Sequence, residues 1–137
     1  PVELMFALGS FCAGGVLERF PSLRVAFLEG NCGWLPWALY RLDERWEMRK
    51  GYCNEPMSLR PSDYFLRQCF ISVDVEENLV NDVVKRIGDD NVVISTDYPH
   101  ADSHWPNAVN HFMAMEMPST SRKKILWDNC ARLYGVQ

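Results

Sequence analysis

The chain has 137 residues, enough for one domain or part of one, and 47% of them are apolar, so it can bury a core of its own. Its net charge of −4, with no Lys/Arg run or basic stripe, argues against a nucleic-acid partner. The uncharged run over residues 4–17 is shorter than the roughly 20 residues a membrane-spanning helix needs, and Gly9, Gly14 and Gly15 interrupt it.

The elements follow in order. Residues 2–8 read as the end of a helix whose beginning is missing. Pro1 stands where an initiator Met would, so a processed or truncated chain is expected, and no basic region marks a signal peptide. Residues 10–20 read as a second helix, with Phe11, Val16, Leu17 and Phe20 toward a core and Gly14-Gly15 marking close packing. Pro21-Ser22 ends it. Residues 24–28 form an apolar run too short for a helix and so predict a strand, closed by a Gly- and Asn-rich turn.

Residues 34–48 carry the clearest helical pattern. Leu35, Leu39, Leu42 and Trp46 share one stripe, opposite a solvated face of Arg41, Glu44, Arg45 and Glu47. Residues 51–61 read as a connector, and 62–67 as a single helical turn. A strand over 69–73 follows, then Asp74 and the pair Glu76-Glu77, placed where a helix macrodipole favours carboxylates. That helix presents Leu79, Val83, Val84 and Ile87 to the core and stops at Gly88. A third strand covers 92–95. Pro106 opens a helix burying Val109, Phe112 and Met113, while Met115 and Met117 fill gaps. Ser119 or Ser121 caps a last helix through Ile125 and Leu126 that ends near Gly135. Strands alternating with helices predict an α/β fold with a parallel sheet of about three strands.

Cys12, Cys32, Cys53, Cys69 and Cys130 are odd in number and contain no C-x-x-C pair. Several lie in apolar surroundings. Buried free thiols in a reducing cytoplasm fit this better than disulfides or a zinc cluster.

Three stretches together resemble the amidohydrolase-related family, the (β/α)8-barrel group that includes aminocarboxymuconate-semialdehyde decarboxylase and the resorcylate-type decarboxylases. They are Gly15-Val-Leu-Glu-Arg-Phe-Pro-Ser-Leu-Arg-Val25 with Glu29-Gly-Asn-Cys-Gly-Trp-Leu-Pro36 and Arg41-Leu-Asp43, then Ser95-Thr-Asp-Tyr-Pro-His100 with Trp105-Pro-Asn107, and finally Ile125-Leu-Trp-Asp-Asn-Cys-Ala-Arg-Leu-Tyr-Gly135. The resemblance runs nearly end to end. It implies a partial (β/α)8 barrel in which the three strands correspond to the last three of eight, a single incomplete domain over residues 1–137.

The resemblance also implies a divalent metal, zinc first, held by a His-x-His pair, later histidines and an aspartate after the last strand. Asp97 matches that aspartate, as metal ligand and proton-handling group; an Asp making a turn before Pro99 is the structural alternative. No His-x-His occurs, and His100, His104 and His111 all follow Asp97. One carboxylate is no zinc site, so the chain alone is expected to hold no catalytic metal tightly.

By the same resemblance, Glu29 or Gly30 takes the place where many relatives carry a catalytic histidine. Glu29 is therefore a candidate base or substrate contact, or else a carboxylate that bonds the N–H groups of Gly30 to Gly33. His100 lines a pocket or fixes its loop, and His104 and His111 read as surface or helix residues. Trp34 and Trp105 wall a pocket for a planar acid or serve packing.

Two functions are open at this point. One is part of a metal-dependent hydrolase or decarboxylase acting on a small molecule. The other is a non-catalytic α/β fragment whose exposed edges drive homo-oligomerisation. A flavodoxin-like domain fits poorly, because no phosphate-binding loop follows any strand.

Overall fold

The computed structural model describes residues 1–52 and 57–136. Part of the expected connector, including Cys53, lies outside them. The first helix, α1 (Val2–Ala13), runs straight through Gly9 instead of stopping at Leu8. The break falls at Gly15, whose φ of 74° is left-handed and suits glycine. A short α2 (Val16–Arg19) follows, so the expected helix over 10–20 is divided.

Strand β1 (Val25–Phe27) leads to α3 (Leu35–Arg49), with Pro36 in its first turn. Leu35, Ala38 and Leu39 are buried, and Leu42 packs on the core edge. The stripe ends at Trp46, over whose ring Lys50 Nζ sits at 5.0 Å. Helix α4 (Pro61–Gln68) exceeds the single turn expected. Asp43 on α3 explains its start, accepting bonds from the Ser62 N–H at 2.9 Å and the Ser62 hydroxyl at 2.6 Å.

Strand β2 (Cys69–Asp74) precedes α5 (Val80–Ile87), which ends at Gly88 with φ 83°. Leu79 is exposed, contrary to the expected stripe, and Val80 with Val83 takes the core positions. The helix begins after Leu79, whose side chain lies over Gly33; a Cβ there would sit 2.3 Å from Leu79 Cδ1. Strand β3 (Val92–Ser95) matches its expected bounds.

Helix α6 (Ala108–Ala114) starts beyond Pro106, and this shifts its buried face. Ala108 and Phe112, four residues apart, are buried, whereas Val109 and Met113 are half-exposed. Helix α7 (Ser119–Lys123) passes through a π turn (Lys124–Asp128) into α8 (Asn129–Tyr134), closed by Gly135. Neither Ser119 nor Ser121 caps it. Ser121 Oγ instead donates to Asp89 at 2.7 Å.

The three strands form one parallel sheet in the order β1-β2-β3. Ile71 pairs with both Phe27 and Val92, and Asp74 stands opposite Ser95. Cys69, Ile71 and Val73 alternate onto one face and join the helices in the main core. There Phe27 stacks on Phe65 at 6.2 Å and meets Phe11 edge-on at 6.4 Å. Such pairs contribute about 0.5–1.5 kcal/mol beyond area burial.

At the N-terminal ends of the strands, the closing helix is bolted to the sheet. Asn129 donates to Asp89 O and Val92 O, both at 2.7 Å, and the Arg132 guanidinium lies 4.6 Å over the Phe70 ring. The opposite, C-terminal ends are left to loops. Among the described residues no helix is long and apolar enough to cross a membrane.

Candidate active site at the strand C-termini

All three strands deliver a carboxylate within two residues of their last paired position: Glu29 after β1, Asp74 closing β2 and Asp97 after β3. Glu29, Asn31 and Asp97 all have φ near 60°. Left-handed backbone at non-glycine residues costs of order 1–3 kcal/mol and persists where the surroundings enforce it, as at active sites and ligand clamps. Here it turns the chain sharply at the end of β1 and of β3. Glu29, Asn31, Asp74, Ser95, Asp97 and His100 line one cleft of about 160 Å3. A neighbouring cleft of about 290 Å3 shares Asn31, Asp74, Ser95 and Asp97, and adds Asp102 and His104.

Asp97 makes the turn expected as one of its alternatives, and it also lines the cleft. Its carbonyl accepts the His100 N–H at 2.9 Å, which closes the turn. Its carboxylate Oδ1 lies 2.9 Å from His100 Nδ1. Asp102 completes a group in which donor atoms of Asp97, His100 and Asp102 all lie within 4.8 Å of one another. Two carboxylates and one imidazole suit a hard or borderline divalent cation, and Asp74 on the same wall adds negative charge. The residues present therefore fit a metal of that class.

The turn after β1 is held from elsewhere. The N–H groups of Cys32 and Gly33 donate to the Glu77 carboxylate, at 2.9 and 3.0 Å from Cys32 and 2.8 Å from Gly33. Glu29, expected as one possible partner of these groups, is not their acceptor. Glu77 is correspondingly buried. Burial pushes the Cys32 thiol pKa up, and the Glu77 charge adds to the effect.

The two tryptophans stand apart from Asp97. The Trp34 indole N–H donates to Gly30 O and Asn31 O, both at 2.9 Å, closing the turn from its inner side. Trp105 packs against Tyr98, ring centroids 4.9 Å apart, and is largely exposed. Neither lines the two clefts. The structure thus brings together Glu29, Asp97 and His100, and adds Asp74 and Asp102, which sequence reasoning missed. The D-x-x-H-x-D spacing within one turn-rich loop is the signal that could have found Asp102.

Compared with known proteins, the profile of the amidohydrolase family matches residues 1–136. The chain belongs to the amidohydrolase family. Among curated relatives, it is 25% identical to 2-amino-3-carboxymuconate-6-semialdehyde decarboxylase of Dictyostelium discoideum, over 99% of this chain and 38% of that protein. Gamma-resorcylate decarboxylase of Polaromonas sp. strain JS666 is 26% identical, over 89% of this chain and 37% of its own length. Among solved structures, dihydroxybenzoic acid decarboxylase of Polaromonas sp. JS666, with bound manganese and the inhibitor 2-nitroresorcinol, superposes with TM-score 0.71. It shares 24% identity, over 98% of this chain and 39% of that one. This amidohydrolase chain therefore spans well under half the length of the relatives it matches, and its open three-stranded sheet is part of the family's barrel.

Proposed function

We propose that this amidohydrolase chain supplies the aspartate-bearing wall of a metal-dependent site that decarboxylates or hydrolyses a small carboxylic or cyclic compound. The convergence of Asp97, His100 and Asp102 at the strand C-termini carries the reading, since barrel enzymes build their sites at that end. The matched relatives named as decarboxylases favour loss of a carboxyl group over hydrolysis. A planar dihydroxybenzoate-like acid is the substrate class. The acidic balance of the chain also favours a small molecule over a nucleic acid.

A bound divalent cation would act as Lewis acid toward a substrate oxygen. Asp97, His100 and Asp102 would hold it. The rest falls to this chain's own groups. Asp97 orients the His100 ring through the 2.9 Å contact at Nδ1. Glu29 faces the same cleft from β1, placed to accept a proton or contact the substrate. Glu77 fixes the turn that aims Glu29. Zinc is the metal the sequence resemblance suggests, while the solved relative holds manganese; the oxygen-rich donor set favours the harder ion, so manganese is the probe.

Without a His-x-His pair, the chain by itself is proposed not to turn substrate over. Residues 1–137 form a single incomplete domain in this reading. The test is binding of 2,6-dihydroxybenzoate followed by ligand-observed NMR, with and without manganese. Metal-dependent binding that Asp97→Asn abolishes supports the proposal. Binding that needs no metal, or survives Asp97→Asn, contradicts it.

One observation favours a second reading, in which the chain self-associates. Among the described residues β1 and β3 pair only with β2, so each leaves an unpaired edge, and Phe6, Trp37 and Tyr40 are exposed. A homo-oligomer by light scattering supports this reading, and a clean monomer argues against it. The buried free thiols Cys12, Cys32 and Cys69 support a reducing compartment, the cytoplasm in our proposal.

A further inference from the structure

We propose that Glu76, His104 and His111 form a separate divalent-metal site of the zinc class at the rim of the cleft. The three donors come from three segments. Glu76 lies in the loop after β2, His104 in the loop after β3, and His111 within α6. His111 Nδ1 lies 2.5 Å and His104 Nε2 3.5 Å from the two oxygens of the Glu76 carboxylate. The imidazole rings are 4.9 Å apart and tilted by 36°. One ligand atom from each residue lies within 4.8 Å of the other two.

The chemistry of this donor set points to zinc. Zinc–ligand bonds of about 2.1 Å in a tetrahedron place neighbouring donors roughly 3.4 Å apart, and the His104–Glu76 contact is already at 3.5 Å. Two imidazoles and one carboxylate make the donor set of zinc sites that keep a fourth position open. Imidazole nitrogens also separate this cluster from the oxygen-rich Asp97 group, which suits harder cations. The side chains are partly exposed, so an ion can reach them.

The backbone holds the pair of histidines in place. The Asn107 N–H donates to His104 O at 2.7 Å, and the His111 N–H donates to Asn107 O at 3.0 Å. These bonds carry the chain from the loop into α6, so two histidines seven residues apart reach one carboxylate. On the other side, Asn81 of α5 donates to Glu116 O at 2.8 Å, tying α5 to the segment after α6. His104 also lines the larger cleft with Asp97, so a metal here would sit beside the proposed substrate.

This inference does not depend on the Asp97 reading, and the variants separate the two. Zinc binding to the purified chain is measured by calorimetry at neutral pH, with Glu76→Gln, His104→Ala, His111→Ala and Asp97→Asn. The expected result is one zinc per chain, weakened at least about tenfold by each of the first three substitutions and unchanged by Asp97→Asn. Absence of saturable zinc uptake would overturn the proposal. So would uptake that survives both histidine substitutions, or that disappears in Asp97→Asn.

Discussion

Glu77 grips Cys32 with both carboxylate oxygens, at 2.9 and 3.0 Å from one backbone N–H, across 45 positions of sequence. The contact ties the loop after β2 to the turn after β1. It therefore sets where Glu29 and Asn31 stand relative to Asp74. The loops of the site are held by a buried carboxylate that takes no part in the proposed metal set.

Substituting Glu77 is expected to destabilise the chain. Glu77→Ala leaves the buried Cys32 N–H without its acceptor, at a cost of about 1–3 kcal/mol, and removes the acceptor of the part-buried Gly33 N–H as well. Glu77→Gln keeps one carbonyl oxygen to accept both, and exchanges charge-assisted bonds for weaker neutral ones. Urea denaturation should rank wild type above Glu77→Gln, and Glu77→Gln above Glu77→Ala. Equal midpoints for wild type and Glu77→Ala would show that this carboxylate does not hold the turn.

The pH dependence of stability should carry a contribution from Asp89. The Lys124 ammonium, then the Ser121 hydroxyl, hold its pKa below the ordinary aspartate value. A depressed folded pKa means the contribution is complete above the unfolded value, about pH 4, and is lost as pH falls through the folded pKa. Asp89→Asn should thus be less stable than wild type at pH 7 and converge toward it in acid. Parallel stability curves for the two proteins below pH 5 would contradict this.

Thiol reactivity should follow burial. Cys12, Cys32 and Cys69 are fully buried. The Cys12 pKa is raised, first by its hydrogen bond with the Cys69 thiol and then by burial. A thiol that stays protonated is a poor nucleophile. Peptide mapping after brief treatment with a thiol reagent should find these three unmodified in the native protein and labelled in denaturant. Native labelling of Cys12 or Cys69 would show that the core opens readily.

Much of the fold was legible because apolar periodicity and length constrain it. The run Val92-Val-Ile-Ser95 is too short for a helix and too apolar for a loop, and it is the strand expected. Helix phase was harder to read. Leu79 and Val109 looked like core positions, but each helix begins where a neighbour or loop permits, and Val80 and Ala108 were buried instead. Sequence alone could not show that Leu79 lies over Gly33.

The site divides in the same way. Asp97, Glu29 and His100 could be found because they follow strand ends or sit in a recognisable motif. Asp102 shares the loop of Asp97 and His100, whereas Glu77 and the Glu76–His104–His111 cluster depend on how loops from different strands meet. That information is carried by tertiary contacts such as Glu77 to Cys32.

The central claim is that Asp97 anchors a divalent cation at the end of β3. Electron paramagnetic resonance of manganese(II) titrated into the chain tests it most directly, because bound manganese loses the sharp signal of the free ion. Weak, saturable loss of that signal is predicted for wild type and for His111→Ala, and none for Asp97→Asn at the same concentrations. Equal signal loss in wild type and Asp97→Asn, or no loss in wild type, would contradict the account.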